Sequence, residues 1–489
     1  MKQRLVLYVL HLVTFVSCLL SLLLSPLATL PAAAQSSQLS QAIASTSLST
    51  SLLNAARQAQ FDQVIDYGPY NEVCPGAKFC PVPAPRVAQM PNVDIAVIQL
   101  DANGGLKDVA NVLMSRDYPT GLVVPIERNY TTSSVRWRKW DIQRWDGGTF
   151  SDKNGKQLTT KGWTDNPPLT VAEDILPGRE SAPYQFMLPY PASLFKLMVA
   201  YRIMRLVDAG TLSLDESYTY PSSTAAATGA VTPETRLIRD WMEPMITYSD
   251  NTSTQALLKL LHDLNQVEAM NAEFRNLGLG TLQINDTDPN TGTGWKPGHI
   301  HMSALDTARL LWLIDGASSN RVLWLRPNSQ PVTSAELTNS SRSYLKGLLA
   351  NQGFHEVLST SNFCGAPNTL PGIPAIVPSR WINPNDGTVT VDGIPYGQDV
   401  RPCNTVAEVL FSHKTGLTFN YGSDAGIVQS LPGKPDRHYI IALIANLGYR
   451  YADPIFASQT SFPCFDAVGG ICYTQRIPRL AKQIDNGFR

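Results

Sequence analysis

The 489-residue chain has no surplus of charge of either sign, with 39 Lys and Arg against 40 Asp and Glu. No basic patch of the kind that neutralises phosphates stands out, which argues against a nucleic-acid partner. Cysteines are few, seven in all. Cys74 and Cys80, and Cys464 and Cys472, are spaced too widely for the short knuckles of structural zinc sites. His299 and His301 stand together without a clustered Asp, Glu or Cys, and a zinc site needs at least a third ligand. The expectation is no metal and no cofactor, with the two histidines as loop residues.

One long apolar run is present, over residues 5–30. It follows the basic Lys2 and Arg4 and precedes the small residues Pro31-Ala-Ala-Ala34. That layout is a secretory signal peptide, residues 1–34. The alternative is an uncleaved anchor, because the run is long enough to span a bilayer. His11, Thr14, Ser17, Ser21 and Pro26 interrupt the run and favour cleavage. Cys18 is a poor lipidation site. The chain is therefore expected to be exported, periplasmic or secreted, and to meet a membrane only through this segment. Cleavage removes Lys2 and Arg4 and no acid, leaving 37 basic against 40 acidic residues, a net charge of −3. Six cysteines remain: Cys74, Cys80, Cys364, Cys403, Cys464 and Cys472. An even number in an exported chain favours disulfides. The spacings suggest Cys74–Cys80, Cys364–Cys403 and Cys464–Cys472, and about fifteen pairings remain open.

Residues 35–60 are rich in Ser, Ala and Gln and read as a flexible tether, followed by a Pro-rich stretch to about residue 90. Residues 93–100 read as a strand, 102–105 as its turn, and 122–145 alternate well enough for further strands. Residues 192–208 form the clearest helix, apolar nearly all round and closed by Gly210, so it is expected to be buried. A helix is expected over 254–264. Another is expected over 304–314, with Ser303 as its cap and Asp306 at the capping-box position. Strands over 424–428 and 439–445 follow, with Lys414 at the start of the strand before them. Strands, then helices, then strands again imply an α/β (α+β) chain with one sheet built from distant segments.

Three short motifs stand in order along this framework: Ser193-Leu-Phe-Lys196, Ser249-Asp250-Asn251 and Lys414-Thr415-Gly416. Ser193 and Lys196 are three apart on one helix face. Burial depresses a lysine pKa, so Lys196 is a credible base for the Ser193 hydroxyl. Each motif also has a plain reading: a helix-start serine, a helix N-terminus and a strand entry. A second Ser-x-x-Lys at Ser343 and Lys346 shows how weak that pattern is alone. The joint order is far more specific.

On these motifs, residues 93–447 resemble the serine β-lactamase and D,D-peptidase superfamily, class A most closely. The resemblance implies a five-stranded antiparallel sheet flanked by helices, with a largely helical lobe and the active site between them. It also implies one catalytic domain, residues 91–489, with insertions at about 101–185 and 317–410. It makes Ser193 the acylating nucleophile, Lys196 its base or relay, and Ser249 the proton donor to the leaving nitrogen. Asn251 would bind the substrate side chain and position Lys196. Lys414 and Thr415, with Gly416, would hold the substrate carboxylate. The backbone N–H groups of Ser193 and Leu417 would form an oxyanion hole, worth several kcal/mol to a tetrahedral intermediate. The substrate would be a β-lactam or a peptidoglycan-derived small molecule, and the protein a monomer.

The chain also departs from that pattern. The stretch 281–302, where class A enzymes carry the deacylation glutamate, has none. Asp286, Asp288, His299 and His301 are its only candidate bases. Glu336 looks similar but follows the 304–314 helix and is discounted. No arginine lies within 424–428. The Pro/Gly/Asn-rich stretch 365–399 reads as an ordered excursion or lid, clamped by a disulfide. The leading expectation is an exported serine hydrolase forming an acyl-enzyme, with slow deacylation. The alternatives are a D-Ala-D-Ala carboxypeptidase or penicillin-binding protein, an esterase, and a non-catalytic peptidoglycan-binding module.

Overall fold

The computed structural model describes residues 46–66, 86–127, 129–146, 162–221, 233–316, 321–366, 370–453 and 476–489. The chain divides into Met1–Gln41 and Ala42–Arg489, and everything below concerns the second unit. The leader, Cys18, residues 35–45 of the tether, most of the Pro-rich stretch, and Cys74, Cys80, Cys464 and Cys472 lie outside the described residues. Among the described residues no helix is long and apolar enough to cross a membrane.

The fold is mixed α/β around one antiparallel sheet. In chain order its strands are β1 (Val93–Leu100), β2 (Leu106–Ser115), β3 (Tyr118–Val123), β4 (Val409–Leu417), β5 (Gly422–Ser430) and β6 (His438–Ala445). In space the order is β4-β5-β6-β1-β2-β3, so the two ends of the chain meet at the β6–β1 pair. The sheet thus has six strands, not the five expected. The sixth, β3, turns back from β2 through Arg116 and Asp117, with Ser115 opposite Tyr118. Its Pro119 and Gly121 disguise it in the sequence, and Pro is tolerated because β3 is an edge.

Helices cover both faces of this sheet, which is why β1 and β6 read as near-continuous apolar runs. On one face Val93, Ile95, Val97, Ile441 and Leu443 pack with helices Thr46–Ala59 and Arg476–Asn486. Each fully buried side chain of this kind contributes about 1.5–3 kcal/mol. Residues 46–59, expected to belong to a flexible tether, are therefore a core helix. Leu52, Ala55, Ala56 and Ala59 form an apolar stripe at helical spacing, and small alanines hide it among the serines. The Arg476–Asn486 helix is tied to β6 by the buried Arg437–Asp485 pair (2.7 Å) and by the Tyr439 hydroxyl on Asp485 (3.0 Å).

Helix Ala304–Asp315 packs against β1, β5 and β6. Ser303 caps it by accepting the Asp306 N–H. The Asp306 carboxylate does not complete the capping box; it accepts from Thr281 N and Thr281 Oγ1. A second carboxyl group serves the same helix end: Asp94 of β1, whose pKa burial raises to about 7, accepts the Ala304 N–H (2.8 Å). The helical lobe comprises Lys196–Asp208, Ile238–Thr247, Asn251–Asp263 and Val267–Leu277. Lys414 is the sixth residue of β4 rather than its first, because the preceding Val409–His413 also extends.

Cys364 and Cys403 form a disulfide with a Cα–Cα distance of 6.2 Å. It closes an excursion containing a hairpin, Thr388–Val391 with Ile394–Asp399, and its own cluster of Phe363, Val377, Val389, Val391, Tyr396 and Val400. Removing such a bridge typically costs about 2–5 kcal/mol. If the leader is removed, all six remaining cysteines are expected to be oxidised. Thiol titration of the unreduced, denatured protein should find essentially none, and six free thiols would contradict both the disulfides and the export reading.

Candidate active site

The three motifs, far apart in sequence, converge on Ser249. Ser193 lies in a 3-10 turn, Ala192–Phe195, which runs directly into helix Lys196–Asp208. Lys196 is fully buried by its apolar neighbours on that helix. Its Nζ reaches Ser249 O at 2.5 Å, Ser249 Oγ at 3.1 Å and Asn251 Oδ1 at 2.9 Å. Lys414, also fully buried, donates to the same Ser249 Oγ at 3.0 Å and to Thr415 O at 2.8 Å. One hydroxyl therefore bridges two lysines from opposite ends of the fold. Ser193 is half-buried, on the same helical turn as Lys196, but Lys196 directs its hydrogen bonds to the second motif.

Each residue of the second motif has a distinct local task. Ser249 sits in the left-handed region at φ 67°, a conformation that a non-glycine residue seldom adopts. Asp250 caps helix Asn251–Asp263 through the Ser253 N–H (2.5 Å). Asn251 opens that helix and turns its carbonyl to Lys196. The plain reading, a helix N-terminus, is thus true of Asp250 and leaves Ser249 and Asn251 free for Lys196. Ala192, just before Ser193, is also left-handed at φ 48°.

The third motif is pressed against the turn that carries Ser193. A Cβ on Gly416 would meet Pro191 O at 2.3 Å and Leu194 N at 2.7 Å, so only glycine fits there. Ser423 on β5, opposite Gly416, donates to Pro191 O at 2.5 Å. Sequence reading missed Ser423; its only signal is its register position opposite Gly416. Thr415 is buried and Leu417 ends the strand half-buried.

Electrostatics distinguishes the two lysines. Burial holds Lys196 well below the usual lysine range, the Lys414 charge adds to that, and Asp250 opposes it. Burial brings Lys414 down to about 7, against the pull of Asp424 and Glu356. Two ammonium groups sharing one hydroxyl in a dry site disfavour each other.

The four candidate deacylation bases are spread along residues 281–302. Asp286 is exposed. Asp288 is engaged within its own loop, accepting from Asn290 N (2.8 Å) and Thr291 Oγ1 (2.9 Å), and these bonds lower its pKa. His301 is buried and pushed to about 3, chiefly by burial and then by the Lys139 and His299 charges. His299 has its Nδ1 buried without a hydrogen-bond partner among the described residues. None of the four hydrogen-bonds to Lys196, Ser249 or Lys414 among the described residues. The segment is nonetheless docked near the site. Trp295 packs on Phe195 (centroids 5.4 Å), and Thr287 Oγ1 meets His262 Nε2 at 2.8 Å. Glu336 is engaged by Arg326. Among the described residues no group of three His, Cys, Asp or Glu could hold a metal.

Residues 187–361 match the beta-lactamase enzyme family. Over those residues, about a third of the chain, it is similar to that family. The match includes the first two motifs and ends before Lys414. Similar solved structures include PBP-A, at 18% identity over 62% of this chain and 82% of that one, with a TM-score of 0.37. A β-lactamase from Chitinophaga pinensis is 17% identical over 61% and 86%, with a TM-score of 0.36. An ancestral class A β-lactamase is 17% identical over 62% and 86%, with a TM-score of 0.35. No curated protein matches the chain.

Proposed function

We propose that the protein is an exported serine hydrolase in which Ser193 is acylated by a β-lactam or a related amide. The observation that carries this is the Ser249 hydroxyl held between Lys196 (3.1 Å) and Lys414 (3.0 Å). A neutral Lys196 accounts for every bond around it. Its two N–H groups go to Ser249 O and Asn251 Oδ1, its lone pair takes the Ser249 Oγ–H, and Ser249 Oγ accepts from Lys414. Ser249 is then a proton relay already wired to a base. In the reaction Lys196 takes the Ser193 proton, Ser193 Oγ attacks the amide carbonyl, and Ser249 gives its proton to the leaving nitrogen as the Lys196 ammonium returns one to Ser249 Oγ. Lys414 and Thr415 hold the substrate carboxylate.

A penicillin-binding or D,D-carboxypeptidase activity is the second reading, favoured by the 281–302 segment, whose carboxylates are exposed or engaged elsewhere. A non-catalytic peptidoglycan-binding module would not require a buried, depressed Lys196. Incubation with a chromogenic cephalosporin and a fluorescent penicillin separates these. Turnover indicates a lactamase, a stable label a penicillin-binding protein, and neither an esterase or a binder.

A further inference from the structure

The hydroxyl of Ser423 joins the two backbone segments that would supply an oxyanion hole. Ser423 is fully buried on β5, opposite Gly416 of β4. Its Oγ lies 2.5 Å from Pro191 O and 3.1 Å from Gly416 O. A hydroxyl has one proton to give, and the shorter distance assigns it to Pro191. Pro191 O also accepts the Leu194 N–H at 3.2 Å, so that carbonyl is held from two sides. The missing side chain of Gly416 is what lets the segments come this close, since a Cβ there would meet both Pro191 O and Ser423 Oγ.

Each segment leads to an N–H group with a part in the acylation reading. Antiparallel pairs alternate between hydrogen-bonded and non-hydrogen-bonded ones. Thr418 N donates to Tyr421 O at 2.8 Å, so the next pair, Leu417 with Gly422, is of the second kind. The Leu417 N–H therefore points away from β5, and β4 is the edge strand of the sheet. That N–H belongs to the same planar peptide as the Gly416 carbonyl beside Ser423 Oγ. On the other segment, φ at Ala192 sets the angle between the Pro191 carbonyl and the next peptide, which carries the Ser193 N–H. Holding that carbonyl keeps Ala192 at φ 48°, a conformation that a non-glycine residue seldom adopts. We propose that Ser423 is a positioning residue: its hydroxyl ties the turn that carries Ser193 to the strand edge that carries Leu417, and so fixes the two N–H groups that receive the developing oxyanion. The oxyanion half of this statement rests on the acylation reading above; the tie itself does not.

The oxyanion forms only as Ser193 attacks. A hole set out of line therefore slows the bonded step and leaves the initial binding of substrate nearly untouched. Ser423 is uncharged, and its hydroxyl bonds to two carbonyls rather than to Lys196 or Lys414. Its loss should therefore change the height of the pH profile and not its midpoints. The same loss frees the Pro191 carbonyl on one side and loosens the Leu194 N–H that shares it.

The test is a set of Ser423 variants of the disulfide-bonded protein. In Ser423→Ala the saturating rate of labelling by a fluorescent penicillin is expected to fall about tenfold to a hundredfold, with the half-saturating concentration unchanged within about twofold. Ser423→Thr keeps the hydroxyl and should recover most of the rate. An aryl boronic acid, whose tetrahedral adduct places an oxygen in the same hole, should bind Ser423→Ala about tenfold less tightly than wild type. The Leu194 amide should exchange with solvent about tenfold faster in Ser423→Ala. An unchanged saturating rate in a folded Ser423→Ala variant overturns the proposal, and so does a loss confined to the half-saturating concentration or to shifted pH midpoints. If Ser423→Ala does not fold, Ser423→Cys, a weaker donor, takes its place, and wild-type labelling in it overturns the proposal. A wild type that takes neither penicillin nor boronic acid refutes the acylation reading. The exchange of the Leu194 amide then still decides whether Ser423 ties the turn, and an unchanged rate there overturns the tie.

Discussion

Replacing Lys196 with alanine is expected to slow acylation of Ser193 by about a thousandfold or more while the fold survives. Burial and the neighbouring Lys414 both disfavour the charged form of Lys196, and it is anchored to Ser249 and Asn251. Without it neither serine has a base. The variant leaves Ser249 O and Asn251 Oδ1 without that donor, at about 1–3 kcal/mol each where water does not replace it. That loss lowers the melting temperature and leaves a folded protein, because the helix is held by Leu197, Met198, Tyr201 and Met204. The check is label incorporation against time, with circular dichroism on the same sample. Wild-type labelling should also follow a bell in pH. It rises as Lys196 loses its proton and falls as Lys414 loses its own near pH 7. Undiminished labelling of Lys196→Ala at neutral pH would remove Lys196 as the base.

Excess penicillin is expected to give a stoichiometric burst followed by a nearly flat line. The acylation set is assembled, but the 281–302 segment offers no evident base for the hydrolytic water. A base must come within about 3 Å of the proton it removes, directly or through one water. Asp288 is committed to Asn290 and Thr291, Asp286 is exposed, and His301 is buried. The segment is also pinned, by Trp295 on Phe195 and by Gly292, whose Cβ would meet Gln255 O at 2.1 Å. Steady turnover without a burst would show that another base has taken over. If one of the four serves, replacing it should lengthen the acyl-enzyme lifetime and leave the burst amplitude unchanged.

How much of this was legible in the sequence follows from where the information resides. β1 and the Lys196–Asp208 helix were readable because most of their residues are buried, so their apolar runs are nearly continuous. The Thr46–Ala59 helix and β3 were not. One buries mostly alanine, and the other contains Pro119 and Gly121, residues that local propensity assigns to turns. The motifs named Ser193, Lys196, Ser249, Asn251 and Lys414, and the fold gathers the last four into one hydrogen-bonded set. Local patterns carried no trace of the left-handed Ala192 and Ser249 or of Ser423 on Pro191. Those features arise from pairing between segments more than a hundred residues apart or from backbone geometry that tertiary packing imposes.

The most direct test of the account is peptide mapping by mass spectrometry after incubation with a β-lactam. The account predicts one adduct per chain, on the peptide carrying Ser193, and none in Ser193→Ala. An adduct on Ser343, or retained labelling in Ser193→Ala, would contradict it.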